Sequence, residues 1–313
     1  MRIIFFGSPT EAADSLKSLI DAGHDVVAVY SQPDRRAGRG RIKSPTPVKA
    51  FAEARGLPTF TPKGLRNNEE ELSRLTAANA DVFVVVAYGR ILPPKILQVP
   101  PMGVVNIHPS LLPRHRGPSP VVTAVLEGAS ETGVTVMLLD EGMDTGPILA
   151  QSAPVPLDGS ERGEELQVAL FKEGAKMLPD VLEGLQDGSI TPTAQDDSVA
   201  TVTRLLERSD GEIDWTLPAV QIDRMVRAYD PWPSTFTSWD GRGIKILDVA
   251  VMEESVSGAA HPGGALVLEG RLIVATGSGA IEIKRLQLEG RQATAAADFL
   301  RGQPEFDGAT LGS

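Results

Sequence analysis

Along the first 150 residues, short apolar runs alternate with amphipathic stretches. Arg2–Phe6, Asp25–Tyr30, Pro58–Phe60, Asp81–Ala87, Gly103–His108 and Gly133–Asp140 each predict a strand. Asp81–Ala87 (DVFVVVA) is nearly continuous in β-branched residues, as suits a strand covered on both faces. The stretches between them predict helices. Ser8, Pro9 and Glu11 fall at N-cap, first-turn and capping-box positions, Leu16, Leu19 and Ile20 form an apolar stripe, and Gly23 sits where a C′ glycine belongs. Thr46 and Pro47 open a helix that stops at Gly56, Asn68–Asn79 is a charged surface helix, and Ser119 and Pro120 open one that ends at Gly128. Strands alternating with helices predict an α/β fold with a doubly wound, mostly parallel sheet.

The rhythm then changes. Ser160–Leu185 predicts a long helix, and Gln186–Ser198 is rich in Asp, Gly, Thr and Pro. This divides the chain into a domain at 1–188, a linker at 189–203 and a second domain at 204–313. In the second, Ile222, Met225, Val226 and Tyr229 stripe a helix over Leu217–Tyr229, with Asp223, Arg224 and Arg227 on its other face. Glycines then punctuate the strand-like runs Gly243–Val251, Gly264–Leu268, Arg271–Thr276 and Ala280–Leu288, predicting a small C-terminal β-barrel. The Gly-rich tail after Arg301 is expected to be loose.

Composition narrows the chemistry. The 313 residues contain no cysteine, which removes disulfides, thiolate metal sites and cysteine nucleophiles and fits a reducing, cytoplasmic setting. No apolar run is long enough for a membrane span, and MRIIFFGSP lacks the pattern of a signal peptide. The formal charge of −11 argues against generic binding of polyanions. One loop reverses that sign. Within Asp34–Lys43, Arg35, Arg36, Arg39, Arg41 and Lys43 stand against a single acid, with Gly38 and Gly40 loosening the loop. The loop follows the second strand at its carboxyl end, so contact with nucleic-acid phosphates near a crevice is expected; the plain alternative is a solvated loop.

The opening strand–turn–helix does not bind a dinucleotide by motif. Gly7 stands alone, without the further glycines that let a pyrophosphate approach. The fifth strand is more informative. Asn106 and His108 alternate onto one face at its carboxyl end, and Pro109 holds His108 extended. The loop SLLPRHRG, 110–117, follows, and Asp144 lies in the glycine-bracketed turn DEGMDTGP. An amide donor, an imidazole and a carboxylate at one crevice suit acyl transfer to an amine. The amide stabilises an oxyanion, the histidine moves a proton, and the aspartate sets the imidazole's charge. Taken singly, each is more often a loop or turn residue. A zinc hydrolase using His108, His115 and Asp144 is the rival reading, weakened by four histidines in no metal-ligand spacing; no metal is expected. His24 and His261 follow turn signals and are read as surface residues.

NIHPSLLPRHRG followed by ETGVTVMLLDEGMDTGPIL resembles the folate-dependent formyltransferases. SQPDRRAGRGRIKSPTPVK, AYGRILP and DPWP narrow the resemblance to the branch that formylates initiator methionyl-tRNA. The resemblance runs over nearly the whole chain. It implies a Rossmann-type catalytic domain joined to an OB-like barrel. It also implies formyl transfer from 10-formyltetrahydrofolate to the amino group of methionine on initiator tRNA. By match, Asn106, His108 and Asp144 are the catalytic trio, Val86, Ala87, Tyr88 and Gly89 lie beside the pterin, Ser110, Leu111, Leu112 and Pro113 form the folate-site loop, and Arg39 contacts tRNA. The chain departs from the family pattern at His115, commonly Trp, and over Pro118–Val122. No obligate protein partner and a monomer are expected. The part from Arg204 onward has 11 basic and 16 acidic residues, so a tRNA contact there needs a local patch such as Arg224, Arg227, Arg242 and Lys245. Two other readings remain at this stage: a formyltransferase for a sugar-nucleotide or other small amine, and a nucleic-acid-binding module whose α/β part is only structural.

Overall fold

Five consecutive buried residues make Val82–Val86 the kind of strand that only a sheet covered on both faces can hold. The computed structural model describes residues 1–37, 42–252 and 261–312, without the side chains of 35–37 and 42. The chain divides into two units. One comprises Met1–Pro120, Glu131–Pro156 and Gln167–Thr203; the other comprises Val121–Ser130, Leu157–Leu166 and Arg204–Ser313.

In chain order the elements begin with β1 (Arg2–Gly7), α1 (Thr10–Asp21) and β2 (Asp25–Tyr30), followed by a hairpin of β3 (Arg35–Ala37) and β4 (Ile42–Ser44). Next come α2 (Pro47–Glu53), β5 (Thr59–Phe60), α3 (Glu69–Ala77), β6 (Val82–Val86), α4 (Pro94–Leu97) and β7 (Val104–His108). Then follow α5 (Pro120–Glu127), β8 (Glu131–Thr132), β9 (Thr135–Leu138), β10 (Ile148–Gln151), β11 (Val155–Pro156) and the long α6 (Gly163–Asp187).

The first unit's sheet has the order β10-β9-β7-β6-β1-β2-β5. Neighbours from β7 to β5 are parallel, whereas β9 runs against β7 and β10 against β9. The chain winds outward from β1 in one direction and then returns to lay β6 on its other side. This is the Rossmann-like switch point, outside which open α/β sheets bind their ligands. Gly7 serves packing at this place: a Cβ there would lie 2.7 Å from the Phe5 ring and 2.8 Å from the Ala12 methyl. The expected cap of α1 is corrected. The N-cap is Pro9, with no side-chain bond, because the Ser8 hydroxyl instead accepts the Gln32 amide at 3.2 Å. Thr46 and Asn68 do cap α2 and α3, accepting from the backbone of Lys49 and Glu71.

The second unit contains α7 (Ala219–Ala228), β12 (Thr235–Trp239), β13 (Arg242–Met252), β14 (Ala265–Leu268), β15 (Arg271–Ala275), β16 (Ala280–Leu288), β17 (Thr294–Ala295) and α8 (Ala296–Gly302). Its sheet is antiparallel, ordered β12-β13-β16-β15-β14, with β17 on β16. The stripe Ile222, Met225, Val226 and Tyr229 is buried as expected. The fold is thus a Rossmann-like, mostly parallel sheet followed by a separate antiparallel C-terminal sheet. The tail is not loose. Phe306 and Leu311 are buried, the Phe306 ring packs edge-on against Trp239 at 4.6 Å and Phe299 at 5.0 Å, and Leu311 N donates to the Gly263 carbonyl. No described helix is long and apolar enough to cross a membrane. Phe306→Ala should destabilise the C-terminal unit by about 3–5 kcal/mol, the range for emptying a buried aromatic position, as read from its urea unfolding midpoint.

Candidate active site

Parallel β6 and β7 end side by side, so the segments that follow them border one crevice. Antiparallel β9 brings Thr135 opposite His108, at the start rather than the end of its strand. Thr135 is fully buried and anchors the 110–117 loop. Its hydroxyl donates to the Ser110 carbonyl at 2.7 Å and accepts from Leu112 N at 3.0 Å. Gln151 of β10 adds an amide bond to the Leu112 carbonyl at 2.8 Å. The loop then reverses through His115 at φ +58° and Gly117 at φ +103°; a Cβ on Gly117 would also meet the Thr203 carbonyl at 2.8 Å.

His108 is 4% exposed. Its Nε2 lies 2.9 Å from the His115 carbonyl, which only accepts, so Nε2 carries a hydrogen and donates it. Its Nδ1 lies 3.6 Å from Asp144 Oδ2, an ion-pair distance longer than a hydrogen bond. Asp144 Oδ2 in turn accepts from Gly117 N at 2.8 Å. The imidazole therefore stands between two acceptors, and only its doubly protonated form serves both. Burial opposes that form and is the largest influence, holding the His108 pKa below the ordinary 6.5; the Asp144 charge and the His115 carbonyl push it back up. Asn106, two residues earlier on the same strand, is half-buried, and its side chain hydrogen-bonds to no described residue.

The other expected positions are distributed as follows. Val86–Gly89 leaves β6 at the switch point with Ala87 at φ +44°. Gln32, which the sequence did not single out, donates to the Tyr88 carbonyl at 2.9 Å and the Gly89 carbonyl at 3.3 Å, fixing this segment to the end of β2. Ser110 and Leu112 are buried, while Leu111 and Pro113 are half-buried. In the basic loop, Arg35 pairs with Ser44 and Arg36 with Lys43 in the β3–β4 hairpin, and Lys43 is exposed. Arg39 and Arg41 lie outside the described residues, as do the side chains of Arg35 and Arg36. In the second unit, Arg227 is committed to Asp223 and the Glu161 carbonyl, and Arg242 stacks over Trp239 at 4.2 Å. Among the described residues, no group of three or more His, Cys, Asp or Glu side chains is placed to hold a metal.

Residues 1–182 match the formyl transferase family, and residues 205–304 match the formyl transferase C-terminal domain. The chain belongs to the formyl transferase family. A methionyl-tRNA formyltransferase of Chloroflexus aggregans is 48% identical over 304 residues, covering 96% of this chain and 97% of the relative. Another, of Roseiflexus sp., is 47% identical over 313 residues, covering 100% of this chain and 95% of its own. The crystal structure of HypX from Aquifex aeolicus in complex with tetrahydrofolic acid shares the fold at TM-score 0.65 and 19% identity, with 98% of this chain matched to 47% of that one.

This formyltransferase also builds its site from residues that no motif announced. Residues 189–203 belong to the first unit. Thr201 Oγ1 accepts from His115 N at 2.8 Å, and Thr203 N donates to the Arg116 carbonyl at 2.7 Å. Gln195 reaches the loop that carries Asp144. The burial of His108 makes a titration prediction. A histidine kept neutral in the fold but charged when unfolded makes stability rise with pH in the window just below 6.5. The urea midpoint should fall between about pH 7 and about pH 5, and fall less in His108→Gln. Equal falls in both proteins would contradict the burial effect.

Proposed function

We propose that this formyltransferase moves the formyl group of 10-formyltetrahydrofolate onto the α-amino group of methionine carried by initiator tRNA. The observation that carries the catalytic assignment is an unpartnered Asn106 amide two residues before an imidazole held beside a carboxylate. An amide without a partner at the mouth of a crevice suits an oxygen that acquires charge only during reaction.

The folate supplies an acyl carbon bound to a nitrogen leaving group. Val86–Gly89 and Ser110–Pro113 follow adjacent parallel strands and are the backbone segments between which it would be held. The methionyl amine, uncharged, attacks the formyl carbon. The carbonyl electrons move to oxygen, where Asn106 donates a side-chain N–H and protonated His108 adds its Nε2–H, exchanging the His115 carbonyl for the oxyanion while Nδ1 stays toward Asp144. Asp144 holds the charged imidazole against the cost of its burial. Collapse of the tetrahedral species breaks the bond to the folate nitrogen. As that bond breaks, His108 gives its Nε2 proton to the folate nitrogen and takes up the one lost by the amine, so charge and atoms balance.

Two observations support tRNA as the acceptor over a sugar-nucleotide or other small amine. Relatives at 47–48% identity over 96–100% of the chain, second unit included, are methionyl-tRNA formyltransferases. A basic hairpin also stands out in an acidic protein and follows β2 at its carboxyl end, on the crevice side. We infer a monomer working in the cytoplasm, where charged tRNA and reduced folate meet.

The direct test supplies 10-formyltetrahydrofolate with either methionyl initiator tRNA or free amines. Formylation of the tRNA is expected, and exclusive formylation of a free amine would overturn the reading. Asn106→Ala and Asp144→Ala should each lower kcat by at least about 100-fold while the proteins stay folded. Lys43→Ala should raise KM for tRNA and flatten its log–log salt dependence by about one unit. An unchanged slope would remove Lys43 from the phosphate contacts.

A further inference from the structure

Asp144 has to be brought to His108 from the wrong end of the sheet. Because β9 runs against β7, the loop 139–147 departs beside the amino end of β7, where Leu139 N donates to the Val104 carbonyl at 2.7 Å. His108 lies four residues further along that strand, about 13 Å at the usual rise. The loop must turn back over this distance to set Asp144 Oδ2 at 3.6 Å from the imidazole. It does so with Asp144 at φ +55°, a backbone region unfavourable to a residue with a Cβ unless its surroundings impose it.

A side chain from another part of the first unit is bonded to the backbone there. Gln195 is the one residue among 191–199 that is not exposed. Its Nε2 donates to the Asp144 carbonyl at 2.8 Å and the Gly146 carbonyl at 2.7 Å. Its Oε1 accepts from Arg116 Nε at 2.9 Å. Arg116 is buried, bonds Asp197 Oδ1 through Nη2 at 2.7 Å, and immediately precedes Gly117, whose N–H grips the Asp144 carboxylate. One primary amide thus ties the backbone of the Asp144 loop to the strut that also presents the carboxylate's own donor. Few side chains offer two N–H groups on one atom with an acceptor beside them; glutamate has the shape without the donors.

We propose that Gln195, braced by Arg116, is a positioning residue of the formyl-transfer reaction: it holds Asp144 within ion-pair distance of His108. The proposal rests on the reading of Asp144 and His108 as catalytic groups. It assigns to the 189–203 segment a part in the chemistry that its exposed, polar composition does not suggest. The titratable groups acting on His108 are Asp144 from the β9–β10 loop and His115 from the 110–117 loop. Loosening the first leaves burial less opposed, so the imidazole should titrate at lower pH.

The experiment compares Gln195→Ala, Gln195→Glu, Arg116→Lys and Asp144→Asn with the parent protein. It measures kcat, KM for both substrates, and the titration of the His108 ring by NMR in the free protein. Both Gln195 variants are expected to lose up to about 100-fold in kcat, the scale of a misplaced catalytic group, with KM little changed. In Gln195→Ala, which adds no charge, the His108 titration should move to lower pH, in the same direction as in Asp144→Asn. Gln195→Glu fills the same space, so a merely structural filler would tolerate it, whereas a donor to two carbonyls cannot be replaced by it. Should the Gln195 variants not fold, Arg116→Lys, which removes the Nε–H that braces the glutamine, is expected to give the same signature more weakly. If the Gln195 and Arg116 variants keep the parent kcat and His108 titration while Asp144→Asn loses both, the positioning role is overturned and the catalytic reading stands. If Asp144→Asn itself changes neither, the catalytic reading falls and the proposal falls with it.

Discussion

A buried imidazole placed between a carbonyl and a carboxylate is the constraint around which the first unit is organised. Charge on His108 is opposed by removal from water, the larger influence, and favoured by Asp144. A group in that balance changes protonation with small changes in its neighbours. This is the property that the proposed role asks of it, charged while an oxyanion exists and neutral when a proton leaves. The balance holds only while Asp144 stays put. Several otherwise unremarkable residues are used to keep it there: Gly117 for its turn, Arg116 and Gln195 for their bonds, and Thr201 for its grip on His115 N.

Topology supplies the rest. The switch between β1 and β6 opens a crevice, the parallel ends of β6 and β7 give it two neighbouring walls, and the antiparallel pair β9 and β10 turns Thr135 and Gln151 toward the loop after β7. Among the described residues Asn106 then has no hydrogen-bond partner, its neighbours' polar groups being satisfied among themselves. An unused amide in such a setting suits the oxyanion role proposed for it, because it would need no reorganisation when charge develops.

Much of this was legible in the chain. Val82–Val86 announced itself as a continuous apolar strand and Val104–His108 as another strand, in which period-two alternation with the following proline put Asn106 and His108 on one face at its carboxyl end. The acidic chain's one basic loop was equally visible, although not that its ends pair as a hairpin. Other features left little trace. β10, with the sequence ILAQ, and β12, with TFTSW, are short and carry polar residues. The tail looked loose because glycines outnumber its anchors, yet Phe306 and Leu311 suffice to tie it down. Ser8 had the spacing of a cap but is claimed by a tertiary bond to Gln32. Gln195 was invisible in principle: its partners are backbone carbonyls far away in sequence, and such partners impose no periodicity on the residues around it.

The most direct measurement is a crystal structure of the protein with a stable analogue of the tetrahedral intermediate, in which an sp³ carbon bearing oxygen links the folate nitrogen to an amine. The expected result is an oxygen within hydrogen-bond reach of both the Asn106 amide and the His108 ring, with Asp144 still behind the imidazole. An oxygen lying beyond the reach of both, or held by other groups, would contradict the catalytic role assigned to the end of β7.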